Sequence, residues 1–155
     1  AGNYPSGEKP MPYSVLPDVK KAWAVVKESG SDNAKLILDS WHWIRANQSY
    51  DPSVLADIPA DKVVAVQIND VQAHPYAAPV LRDESMHDRM MPGTGHGDTA
   101  GFVKMIREKG IEPAVMGVEV ISDEILSAGV AEAAKANFNA TRAVLEQAWP
   151  EVVEQ

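Results

Sequence analysis

Lys62-Val63-Val64-Ala65-Val66-Gln67-Ile68 is the stretch on which the fold turns. It is almost continuously apolar and rich in valine, which suits a strand covered on both faces. Ala34-Lys35-Leu36-Ile37-Leu38-Asp39 precedes it with the same character, and Pro113 to Val120 follows as a third strand. Around these the period becomes helical. Val19, Ala22, Trp23 and Val26 fall at i, i+3, i+4 and i+7, with Asp18 as cap and Gly30 as stop. Asp51 and Pro52 open a short helix running to Ala56. Thr99 to Lys109 carries Phe102, Val103 and Ile106 on one face and stops at Gly110. The spacing of Val130, Ala134, Phe138, Thr141, Leu145 and Ala148 predicts one long helix over 123–149, ended by Pro150. Residues 69–97, with Pro75, Pro79, Pro92 and three glycines, read as one long irregular loop. Strands alternating with helices define an α/β class with a parallel sheet covered by helices.

The remainder of the chain frames this core. Residues 1–17 contain Pro5, Pro10, Pro12 and Pro17 and read as a proline-rich arm; 18–150 form the domain and 151–155 a tail. The 155 residues are 45% hydrophobic and 23% charged, the composition of one globular domain. With 14 basic against 22 acidic residues the net charge is −8, which disfavours a nucleic-acid partner. Cysteine is absent, so disulfides, thiolate metal sites and cysteine nucleophiles are excluded. No apolar run approaches the roughly 18 residues of a membrane span, and no leader pattern opens the chain. A cytoplasmic location is the resulting expectation. The first residue is Ala1, so a processed chain or a fragment is also expected.

Chemistry is expected at the carboxyl ends of the strands, where parallel α/β architectures place their ligands. Three strand ends carry oxygen donors: Asp39, then Gln67 with Asn69 and Asp70 just beyond, then Glu119. Two carboxylates and an amide oxygen form a hard set that suits Mg²⁺ or Mn²⁺ better than Zn²⁺. The alternative is that these acids simply cap the helices that follow. Asp39-Ser40-Trp41-His42 adds an imidazole able to handle protons, or a structural histidine beside tryptophans. Trp41 and Trp43 either stack on a sugar face or fill the rim. In Arg89-Met90-Met91-Pro92-Gly93-Thr94-Gly95-His96-Gly97-Asp98, open backbone amides could hold an oxyanion and Arg89 a phosphate or carboxylate. Asp98 is also a good cap for the next helix. His74 and His87 have no assigned role.

Asp39-x-x-His42, Gln67-Ile68-Asn69-Asp70, Arg89-x-x-Pro92-Gly93-x-Gly95 with Asp98, and Val118-Glu119-Val120 occur in the order seen in a known family. The chain resembles the xylose isomerase-like TIM barrels, most closely their sugar phosphate isomerase and epimerase branch, from about Pro12 to Ala148. The resemblance implies that Asp39, Gln67 and Glu119 occupy three of four divalent-metal ligand positions, the ion being Mn²⁺ or Mg²⁺. Glu119 would also move a proton at the carbon beside a carbonyl, which the metal would polarise. His42 would share the catalytic site, and His42 and Arg89 would touch substrate, with Trp41 beside them as the residue-level candidate for contact with a sugar face.

Two departures accompany the resemblance. The fourth ligand position, three residues before Pro12, is Lys9, with Glu8 one step out of register. A barrel of eight strands also needs about 250 residues, so this chain corresponds to a C-terminal half. Completion is expected from a second copy or from a missing N-terminal half, unless the sequence joins across a gap near residue 10. The implied activity is isomerisation or epimerisation of a sugar, sugar phosphate or cyclitol. The alternatives are a dehydratase of a keto-cyclitol or 3-dehydroshikimate type, and a non-catalytic, partner-dependent half barrel. An endonuclease IV-like activity is least compatible, because that enzyme type uses many histidines and this chain has four.

Overall fold

A computed structural model describes residues 18–47, 51–73 and 78–153. The arm, including Glu8, Lys9 and Pro12, lies outside the described residues, as do His74 and the last two residues of the tail. Three parallel strands form the sheet: β1 (Leu36–Asp39), β2 (Val63–Ile68) and β3 (Val115–Val118), in the order β1-β2-β3. Helix α1 (Val19–Glu28) precedes β1, and α2 (Ser40–Asn47) leaves it directly. Helices α3 (Ala78–His87) and α4 (Thr99–Glu108) connect β2 to β3, and α5 (Asp123–Ser127) and α6 (Val130–Ala148) follow β3. Short 3₁₀ turns span Pro52–Leu55, Ala60–Lys62 and Pro150–Val152. No helix among the described residues is long and apolar enough to cross a membrane.

Local chemistry explains the boundaries. Asp18 accepts the Lys21 N–H at 2.8 Å and starts α1. Asp51 does the same for the turn at Pro52, accepting from Ser53 N at 2.9 Å. Asp98 adopts φ +43° to cap α4 and accepts the Gly101 N–H at 3.0 Å. Leu38, Val66 and Ile68 point from one face of the sheet into a core built with Trp43, Phe102, Val103, Ile106 and Val144. The opposite face is different. Ile37, Ala65 and Val115 lie in one register row, and Ile37 and Val115 are 56% and 62% exposed. In a closed barrel such a row would be an interior layer.

Three sequence expectations change. The irregular loop contains α3, with Pro79 in its first turn, where a missing N–H costs nothing. Its buried positions include Glu84 and Ser85 as well as Leu81, so it has no apolar stripe to read. The long final helix is two helices, broken at Gly129, whose φ of +92° an L-residue rarely adopts. The inward face of α6 is also rotated from the expected one. Ala133, Val144 and Ala148 are buried, whereas Val130 and Phe138 are 81% and 64% exposed.

Candidate functional site

The sheet brings the strand-end groups to one rim. Asp39, Gln67 and Gly117 share a register row, and Glu119 comes just beyond the end of β3. Asp39 is buried and its two oxygens serve different partners. Oδ1 accepts the His42 N–H at 2.9 Å and so caps α2; Oδ2 accepts from Asn69 Nδ2 at 3.0 Å and faces Arg89. One oxygen of this residue therefore caps a helix, as the capping alternative has it, and the other faces Asn69 and Arg89.

Asn69 organises the centre of the rim. Its Nδ2 also donates to the Glu119 carbonyl at 3.2 Å, and its N–H donates to Ser40 Oγ at 2.8 Å. Ser40 Oγ lies 2.7 Å from the Asn69 carbonyl oxygen, which also accepts from Thr99 Oγ1 at 3.0 Å. Ser40 and Thr99 are fully covered. Neither was singled out by sequence reasoning, because a serine following an aspartate and a threonine following a cap look like ordinary helix starts.

Arg89 reaches the rim from the segment after α3. Its N–H donates to the Ile121 carbonyl, and the neighbouring Met90 pairs with Asp70 as an antiparallel bridge. The guanidinium is buried with all three nitrogens engaged. Nε donates to the Ser85 carbonyl at 3.0 Å and Nη2 to Ser85 Oγ at 3.2 Å. Nη1 lies 2.7 Å from Glu119 Oε2 and 3.3 Å from Asp39 Oδ2. The Arg89 donors engage this chain's own groups. Trp41 lies next to Arg89. The ring is 2% exposed, packs with Ile44, Val71 and Leu81, and lies 5.2 Å beneath the guanidinium. It fills the rim. Trp43 is likewise core, against Phe102.

His42 stands edge-on to Trp41, with ring centroids 4.9 Å apart, and borders a cleft with Val19, Ala22, Asp39 and Trp43. Its Nδ1 is buried and has no hydrogen-bond partner among the described residues. Burial pulls the imidazole pKa down to about 3, the Arg89 charge adds to the effect, and Glu119 opposes it. At neutral pH His42 is therefore an uncharged donor or acceptor. Glu119 is the accessible member of the set, its side chain 37% exposed.

The glycine-rich loop also departs from its expectation. Its amides do not stand open for an external oxyanion, because the buried Asp70 carboxylate takes them. Asp70 accepts from Gly95 N at 3.1 Å and from Gly97 N at 2.8 Å, besides Val71 N at 2.8 Å. A Cβ at Gly95 would lie 2.5 Å from the Val71 carbonyl oxygen and 2.7 Å from Asp70 Cγ, so only glycine fits there. His87 pairs with Asp123 at 3.1 Å on the surface.

The donor set can be tested against the metal that the resemblance implies. Asp39 Oδ2 and Glu119 Oε2 converge on a single cationic nitrogen, so these carboxylates already form a cation-binding pair. Gln67 stands beside Asp39 in register and is half-buried. Among the described residues no group of three or more His, Cys, Asp or Glu side chains gathers to hold a metal. Two carboxylates with an adjacent amide fit an oxygen-seeking divalent ion whose remaining ligands come from elsewhere.

The parallel strands and the helices between them are those of part of a (β/α) barrel. The chain belongs to the xylose isomerase-like TIM-barrel family, whose model matches residues 8–147. It is 34% identical over 104 residues to a 3-dehydroshikimate dehydratase of Pseudomonas aeruginosa, covering 67% of this chain and 16% of that protein. It is 28% identical over 127 residues to an inosose isomerase of Halalkalibacterium halodurans, covering 82% of this chain and 42% of the relative. Among solved structures, IolI protein with a binding zinc atom aligns with a TM-score of 0.69 at 23% identity, over 84% of this chain and 44% of that one. The chain thus spans less than half the length of these relatives, and its three strands are part of a barrel.

Proposed function

We propose that this chain supplies the C-terminal half of a divalent-metal-dependent isomerase or epimerase acting on a cyclitol or sugar. The observation that carries the reading is the convergence of Asp39 and Glu119, from the ends of two different strands, on one cationic position. In this reading Asp39, Gln67 and Glu119 hold a divalent ion. The ion, when bound, polarises the substrate carbonyl. Glu119, the exposed carboxylate, removes the proton on the adjacent carbon and returns it at the neighbouring position. His42, held neutral, orients a substrate hydroxyl by hydrogen bonding. Asn69 and Ser40 hold the first and third strand ends at a fixed separation. Similarity to inosose isomerases favours a cyclitol, and the zinc atom in the IolI neighbour favours a divalent ion without selecting Mn²⁺ or Mg²⁺. The other half of the barrel comes from a second copy or an N-terminal segment, and the assembly acts in the cytoplasm.

The test is exchange of the substrate's α-proton, followed by NMR in deuterated water with an inosose and added Mn²⁺. Deuterium should enter the substrate, and a Glu119→Gln variant should lose at least two orders of magnitude in exchange rate. Exchange that survives this substitution would refute the role given to Glu119. A second reading, dehydration, is favoured by the 34% identity to 3-dehydroshikimate dehydratase. Both reactions begin with the same proton removal, and a product lighter by one water identifies the dehydratase.

A further inference from the structure

The nitrogen at the focus of Asp39 and Glu119 belongs to a side chain with no freedom to leave casually. Arg89 is 4% exposed, and Ser85 fixes its guanidinium from behind through both the carbonyl and Oγ, at 3.0 and 3.2 Å. The Trp41 ring closes one side. Each of the three nitrogens of the guanidinium donates to a group of this chain. Its positive end sits where two carboxylates would otherwise repel each other, 2.7 and 3.3 Å from their oxygens.

A divalent ion on the same two oxygens would meet that fixed charge at close range, where like charges repel. We infer that Arg89 is a resident cation that holds the Asp39–Glu119 pair together without metal and lowers the affinity of the pair for a divalent ion. Arg89 is then a positioning residue acting through the two carboxylates. Ser85 determines how readily it yields. A divalent ion held by Asp39 and Glu119 would take the place of the Nη1 contacts, while the Nε and Nη2 contacts to Ser85 would keep the guanidinium within reach. This inference rests on the metal-dependent reading above and adds to it a control on metal affinity.

The experiment compares Mn²⁺ and Zn²⁺ binding by calorimetry in the wild-type chain, Arg89→Met, Ser85→Ala and Glu119→Gln. Arg89→Met keeps the bulk and removes the charge, and should bind at least tenfold more tightly than wild type. Ser85→Ala keeps the charge, loosens the tether, and should bind a few-fold more tightly. Glu119→Gln should bind more weakly. Thermal unfolding with and without Mn²⁺ guards against a folding defect: Arg89→Met should melt lower without metal and gain more from it than wild type does. A merely structural arginine would lower Tm without raising metal affinity. Equal or weaker affinity in Arg89→Met, with wild-type binding intact, overturns the inference and leaves the metal reading standing. Absence of binding in all four proteins overturns both.

Discussion

Asp70 offers the sharpest test of how the loop beside the site is held. Its carboxylate is 2% exposed and accepts three backbone N–H groups, two of them, from Gly95 and Gly97, on the far side of the loop. Asp70→Ala removes both oxygens and leaves those two donors facing a cavity. An unsatisfied buried N–H costs about 1–3 kcal/mol, so the substitution should destabilise by about 2–5 kcal/mol. Asp70→Asn should cost less, because an oxygen placed at Oδ1 keeps the contacts to Val71 and Gly97 while the new amide faces Gly95 N–H. Urea unfolding gives the stability differences, and hydrogen exchange at Gly95 and Gly97 locates them. The expected result is rapid exchange at both amides in Asp70→Ala and at Gly95 alone in Asp70→Asn. A loss below about 1 kcal/mol in the alanine variant, with both amides still protected, would refute the view that Asp70 is the anchor of the loop.

Three further outcomes follow from the same geometry. His42 has a folded pKa of about 3 against 6.5 unperturbed, so the unfolded chain takes up its proton first on acidification. Its contribution is intact above pH 6.5 and declines toward pH 3 by about 1.4 kcal/mol per unit; His42→Gln should flatten urea-derived stability between pH 6 and 4 (about 3 kcal/mol less change at most), and parallel profiles would contradict this. Glu84 is 1% exposed and binds Arg45 at 2.5 Å and Gln72 N at 2.7 Å, so Glu84→Ala should cost about 3–5 kcal/mol in chemical denaturation. On α6, Val144→Ala should cost about 1–3 kcal/mol and Phe138→Ala less than about 0.5 kcal/mol, the reverse of the order residue size alone suggests; equal losses would restore the face expected from periodicity.

The parts of the fold legible in the sequence are those fixed by local pattern. The three strands announce themselves as apolar runs, and Asp18, Asp51 and Asp98 cap the segments whose starts they mark. What periodicity could not show has a consistent physical origin. Helix α3 buries Glu84 and Ser85, which a hydrophobic pattern treats as solvent-facing. Helix α6 turns alanines inward because it packs closely on α4 and on the loop, where Val144 Cγ2 lies within 2.9 Å of a Cβ position at Gly93. At the site, the residue types at Asp39 and Glu119 were readable, and so was the rim they share. The part played by Arg89 was not, because its partners lie 50 and 30 residues away and nothing local distinguishes an arginine aimed inward from one aimed at solvent.

The divided allegiance of Asp39 has a consequence for how this rim can change over evolutionary time. One oxygen starts a helix and the other belongs to the cation-binding pair. An asparagine could keep the helix start and would forfeit charge at the pair; a glutamate could keep the charge and would displace the helix start by a methylene. Position 39 therefore has no neutral neighbour in sequence space that preserves both duties. Glu119 differs in that its carboxylate caps no helix, since Ser122 caps α5. Substitution at position 39 should accordingly disturb the fold and the chemistry of the site together, whereas a change at Glu119 leaves every helix start in place.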